Sequence, residues 1–109
     1  MTLNTQKLFE DMAGAAKSSF GKQWKDVEGY ALPELSKFAK NITEIAELKL
    51  SGEISEEQAK IHLAMQKKAM AIVMLTAKGL TILAVEAAIN AAIDVVRGAV
   101  NTSIGWQIL

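Results

Sequence analysis

The stretch TAKGLTILAV, residues 76 to 85, settles the architecture, because it determines whether the chain from Glu56 to Val100 forms one helix or two. It holds no proline and no run of turn residues. Gly79 costs about 1 kcal/mol inside a helix but does not by itself end one. Thr81 is the one residue able to cap a new helix, and Ala84 supplies no acid or amide to complete a capping box. The stretch therefore predicts a continuous or gently kinked helix over 55–100, roughly 70 Å long at about 1.5 Å per residue. The alternative is a break at Lys78-Gly79, with residues 80–100 folding back to complete a four-helix bundle.

Charge is distributed unevenly around that stretch. Lys78, Glu86, Asp94 and Arg97 are the only Asp, Glu, Lys or Arg residues after Lys68. A helical segment this apolar cannot leave its whole circumference in water, so the C-terminal third must be covered by its own chain, by a copy of itself or by lipid.

Upstream, Phe9, Met12, Ala16, Phe20, Trp24 and Val27 recur at helical spacing and predict a first helix over 3–28. Gly29 stands where a left-handed C-cap belongs, Tyr30 is placed to close over Trp24, and Pro33 suits a first helical turn, so a reversal is expected at 29–32. Leu35, Phe38, Ile42, Ile45 and Ala46 mark a second helix over 33–50. Ser51-Gly52 ends it. Ser55-Glu56-Glu57-Gln58 is a capping box that opens the next helix, with Ile54 placed to staple onto Ala59 and two acids at the positive end of the dipole. The expected fold class is all-α: an antiparallel bundle of three helices with a long C-terminal helix, in a single domain spanning 1–109, closed by an apolar tail at 101–109. That tail carries Ile104, Trp106, Ile108 and Leu109 and is expected to dock.

Two faces of the last helix stand out. Glu86, Asn90, Asp94, Arg97 and Asn101 step by three or four residues into one narrow polar stripe, in which Asp94 and Arg97 can pair. The stripe is either the solvated edge of a buried helix or a polar seam that fixes register inside an oligomer. Ala84, Ala88 and Ala92 form a small-residue row suited to close helix packing, with Gly14, Ser18 and Gly21 as a matching row on the first helix.

Composition narrows the function. Twelve basic and twelve acidic residues leave no net field toward nucleic acid or an anionic surface. The absence of cysteine rules out disulfides and thiolate ligands and suits a reducing compartment. The start, MTLNTQKLFEDM, lacks a secretory pattern, so a cytoplasmic location is expected. His62 is the single histidine, and Ala59 stands where a Glu-x-x-His motif needs its acid, so no metal site is expected. The segment from Gly14 to Lys22 imitates a phosphate loop, but its glycines have the wrong interval and Gln23 replaces the magnesium-holding Ser or Thr. Lys17, Lys22 and Lys25 beside Phe20 and Trp24 resemble a nucleic-acid patch, yet both aromatics fall on the core stripe. Met65, Met70 and Met74 read as core. A membrane span over 79–98 would include Glu86, Asp94 and Arg97, each costing about 2.5–3.5 kcal/mol at the helix centre.

The resulting expectation is a non-enzymatic interaction or scaffold protein without a cofactor, self-associating through its last helix, with a dimer as the default. Leu75, Ile82, Val85, Ile89, Ile93, Val96 and Trp106 are the expected interface or core residues, and Glu86, Asn90, Asp94 and Arg97 the polar seam. A lipid or hydrophobic-surface binder that exposes residues 69–109 is the less favoured alternative. Glu86 and Asp94 are the only plausible acid–base groups of the apolar third, with carboxylates whose pKa burial would raise, and pairing with Arg97 is the plainer reading.

Overall fold

The computed structural model describes residues 3–109, and its described residues contain helices and no strand. Four α-helices follow in order: α1 (Thr5–Phe20), α2 (Trp24–Leu50), α3 (Glu56–Met74) and α4 (Ile82–Ile104), with a 3₁₀ turn at Gly21–Gln23. Each helix packs against its predecessor, and α1 closes the circuit by packing on α4 in the most extensive pairing of all. The Thr5–Thr43 hydroxyl bond at 3.0 Å ties the start of α1 to the far half of α2, so these two run antiparallel. At the opposite end, Gln23 Nε2 donates to the Gly79 carbonyl, joining the α1–α2 and α3–α4 turns. The radius of gyration, 13.7 Å, is close to the roughly 13 Å expected of a compact chain this long.

The continuous helix expected over 55–100 does not form. A rod of roughly 70 Å has no place in a molecule whose longest dimension is 43 Å. The break expected as the alternative is the one adopted: α3 stops at Met74, Gly79 takes φ 82°, and α4 starts after Thr81, whose hydroxyl accepts the Ala84 N–H at 3.2 Å. Between them, Thr76 and Ala77 donate to the carbonyls of Val73 and Met74 in tightened turns, and Ala77 is itself buried. The physical reason is burial. Val85, Ile89, Ile93, Val96, Val100 and Ile104 all enter the core once α4 folds back. Full burial is worth about 1.5–3 kcal/mol for each such side chain, which outweighs the few hydrogen bonds lost by interrupting one helix.

The reversal expected at 29–32 is also corrected. Gly29 and Pro33 lie inside α2, and the chain instead turns at Gly21–Gln23, where Gly21 takes φ 58°. Proline inside a helix removes one hydrogen bond and crowds the carbonyl four residues earlier, here that of Gly29. Gly29 and Pro33 both sit on the exposed side of α2, where water can serve the freed carbonyl. On the opposite side the core stripe of Trp24, Val27, Ala31, Leu35, Phe38 and Ile42 runs through without a change of phase. Tyr30 points outward and does not close over Trp24. Trp24 packs on Phe20 with ring centroids 6.2 Å apart and donates its indole N–H to Glu28 at 3.0 Å.

The capping box forms as expected: Ser55 Oγ accepts from Gln58 N at 3.1 Å and Gln58 Oε1 accepts from Ser55 N at 2.9 Å. Ala59 is buried, and Ile54 is partly buried against the core. The apolar tail docks on its own chain. Asn101, the last member of the polar stripe, is buried, and its Oδ1 accepts the N–H groups of Ile108 and Leu109, each at 3.1 Å. The ammonium of Lys49, at the end of α2, donates to the Ile104 carbonyl and lies 4.8 Å from the centre of the Trp106 ring.

Candidate functional site

The residues singled out in the last helix separate into two groups. Val85, Ile89, Ile93 and Val96 are buried in the core of their own chain, so none of them is available as a surface while α4 stays packed. Leu75 and Trp106 are partly buried against that core, and Ile82 is exposed at the first turn of α4. Glu86, Asn90, Asp94 and Arg97 are all exposed along one edge of α4, and Arg97 bonds the Asp94 carboxylate across one turn. Neither Glu86 nor Asp94 is buried.

The matching small-residue rows do not meet. Ala88 and Ala92 are buried, but Gly14, Ser18 and Gly21 lie exposed on α1, and a methyl group added at Gly14 would touch nothing. His62 is exposed on α3 at the rim of a shallow cleft shared with Asn41, Glu44, Glu53 and Gln58. No cluster of three His, Cys, Asp or Glu side chains with metal-binding proximity occurs among the described residues. No helix among them is long and apolar enough to cross a membrane.

What the packing leaves outside is an apolar face on α3. Leu63, Met70 and Met74 point into the core, while Ile61, Met65 and Ile72 are 54%, 65% and 67% exposed. At 100° per residue these three project almost directly opposite the buried set. Met65 thus departs from the core role expected of it, whereas Met70 and Met74 keep theirs. Beyond the α3–α4 turn, Ile82 and Leu83 are also exposed. Exposed Leu and Ile residues are common singly; a row along one helix face is the informative observation.

Beside this face, α3 and α4 diverge to leave an open trough of about 400 Å³ lined by Ala64, Ala71 and Ile89 and edged by Lys67, Lys68, Glu86 and Asn90. Lys67 and Lys68 reach no carboxylate within ion-pair distance among the described residues. Past Ala64 and Lys67 a second, smaller cavity of about 170 Å³ is lined by Phe38, Leu63, Ile93, Ile108 and Leu109. The α3 face is legible in principle: two apolar stripes half a turn apart share residues 56–74. The inner stripe alone accounts for the helix, which is why the outer one escapes a reading that seeks one core face per helix.

Comparison of the chain with protein-family models, with curated proteins and with solved structures finds no match.

Proposed function

We propose that this protein is a non-enzymatic interaction or scaffold protein, an up-down-up-down four-helix bundle that self-associates, with the outer face of α3 as its docking surface. The observation that carries the reading is the row of Ile61, Met65 and Ile72, each more than half exposed on a helix whose opposite face already supplies the core. Their burial against another surface recovers apolar area at about 25 cal/mol per Å². The assignment moves the association surface from α4 to α3, because Val85, Ile89, Ile93 and Val96 are occupied inside the chain. With one histidine and no cysteine, the sequence offers no cysteine–histidine pair for covalent catalysis. The balanced charge and lack of cysteine suit a protein partner in a reducing compartment such as the cytoplasm.

The lipid-surface alternative asks more of the molecule. Exposing residues 69–109 would withdraw all of α4 from the core, including the six large aliphatic side chains from Val85 to Ile104. The outer face of α3 needs no such opening.

The test is the absolute mass in solution by light scattering over a wide concentration range, for the parent chain and for Ile72→Glu. A mass above the 11.8 kDa of one chain that falls to 11.8 kDa in the variant supports the proposal. A parent that stays at one chain's mass at every concentration would sink it.

A further inference from the structure

We infer that the occupant of the α3 face is a second copy of this chain, seated antiparallel about a two-fold axis that passes between Met65 and Lys68. The inference rests on the α3 docking surface proposed above and adds its partner, polarity and register. The outward row of the helix is Gln58, Ile61, Met65, Lys68 and Ile72, continued at the C-cap by the partly buried Leu75, spaced three, four, three, four and three. That is the seam spacing of two helices that wind around each other. The first five are at least partly exposed, as is Leu75 at the end of the helix. Ala64 and Ala71 flank the seam on one side and Ala69 on the other, so its middle lets a second helix approach closely, while Glu57 and His62 flank its N-terminal end.

Turned end for end, the seam matches itself. Ile61 of one copy lies opposite Ile72 of the other, Gln58 opposite Leu75, and Met65 opposite Lys68. Lysine covers an apolar neighbour with its stem while its ammonium stays in water, and polar residues in such a seam, here Gln58 and Lys68, fix register.

Charge selects the direction. Glu53, Glu56 and Glu57 stand at the N-terminal end of α3, where Lys60 pairs with Glu56 and leaves the end net acidic, while Lys67, Lys68 and Lys78 stand in its second half and in the turn that follows. Glu57 and Lys78 are exposed, and neither forms an ion pair among the described residues. An antiparallel copy brings the acidic end of each α3 to the lysine end of the other, twice by symmetry. A parallel copy would set acid against acid and lysine against lysine. The helix dipoles favour the same antiparallel choice. A single two-fold axis therefore satisfies the apolar seam and the charge pattern together, which is the mark of an isologous interface.

The experiment is light scattering at low ionic strength on Glu57→Lys, Lys78→Glu, the double variant Glu57→Lys/Lys78→Glu and Ile72→Glu, with thermal melts as a folding check. The expected result is a parent dimer that Ile72→Glu abolishes, single charge variants that dissociate at about tenfold higher concentration, and a double variant that recovers the parent's midpoint. Because the double variant carries both local changes at once, damage to the helix itself would persist in it and recovery would not be seen. If Ile72→Glu abolishes the dimer but the single charge variants leave it unchanged, or the double variant fails to recover, the antiparallel register is overturned while the α3 surface stands. A dimer that survives Ile72→Glu, or a parent that is monomeric throughout, overturns the α3 surface and the register together.

Discussion

Helices α3 and α4 are joined by one turn and are of similar length, yet they use their apolar residues differently. α4 buries Val85, Ala88, Ile89, Ala92, Ile93, Val96, Val100 and Ile104, whereas α3 buries only Ala59, Leu63, Met70 and Met74. α3 keeps Ile61, Met65 and Ile72 exposed on its outer face, whereas α4 keeps Ile82 and Leu83 exposed in its first turn and Val95 further along. An apolar sequence thus does not announce where its surface lies. The least charged helix buries more of its apolar residues than α3 does, and α3, with more lysines and glutamates, keeps its exposed ones aligned on one face. Its charged residues keep α3 compatible with water while the face is empty.

The contrast is most severely disturbed by core truncation. Ile89→Ala should cost about 2–5 kcal/mol, the range for deleting a buried aliphatic side chain, whereas Ile72→Ala should stay within about 0.5 kcal/mol in the monomer. Denaturant melts at low protein concentration measure both, and equal losses would mean that Ile72 is packed as tightly as Ile89. A smaller effect is expected from the tail. Asn101→Ala leaves the N–H groups of Ile108 and Leu109 without their acceptor, at about 1–3 kcal/mol. It should also loosen Ile108 from the core, seen as faster amide exchange at residues 107–109. An unchanged exchange rate would show that Ile108 is held by packing alone.

The smallest effect separates the two helix starts. Thr81→Ala and Ser55→Ala each remove a cap worth about 1 kcal/mol. The Ser55 change also breaks a reciprocal box, since Gln58 keeps its bond to the Ser55 backbone but its own N–H loses the hydroxyl acceptor. Thr81 makes a single capping bond, yet it positions the helix that carries most of the core. Thermal melts of the two variants should therefore show comparable losses, and a much larger loss for Thr81→Ala would locate the decisive step of folding at the α3–α4 turn.

Several of these features are legible in the order of residues. The all-helical class follows from apolar spacing and composition. The start of α3 follows from Ser55 and Gln58, whose side chains act on backbone groups only three residues away. The turn at Ser51-Gly52 is equally local. The candidate site is less legible. Leu75, Ile82 and Trp106 remain at least partly accessible, but Val85, Ile89, Ile93 and Val96 do not. Ile61 and Ile72 carry no signal when a helix is read for a single face. At Gly29 and Pro33 turn chemistry argues against the unbroken stripe from Trp24 to Ile42, and the stripe is the better guide. A continuous core face is worth several kcal/mol, and one proline on the wet side of a helix costs about 3.

Sequence alone is sufficient for whatever is set within a few residues: helix as the class, the capping box at Ser55, the ability of Thr81 to cap, and the pairing of Asp94 with Arg97. Whether Gly79 bends or breaks the chain, whether Gly29 and Pro33 end a helix, and which apolar faces remain outside are settled only by the tertiary fold. Those choices turn on burial, and burial depends on which distant segment comes to lie alongside. Local preferences of about 1 kcal/mol are overruled when a whole helix face can be taken out of water.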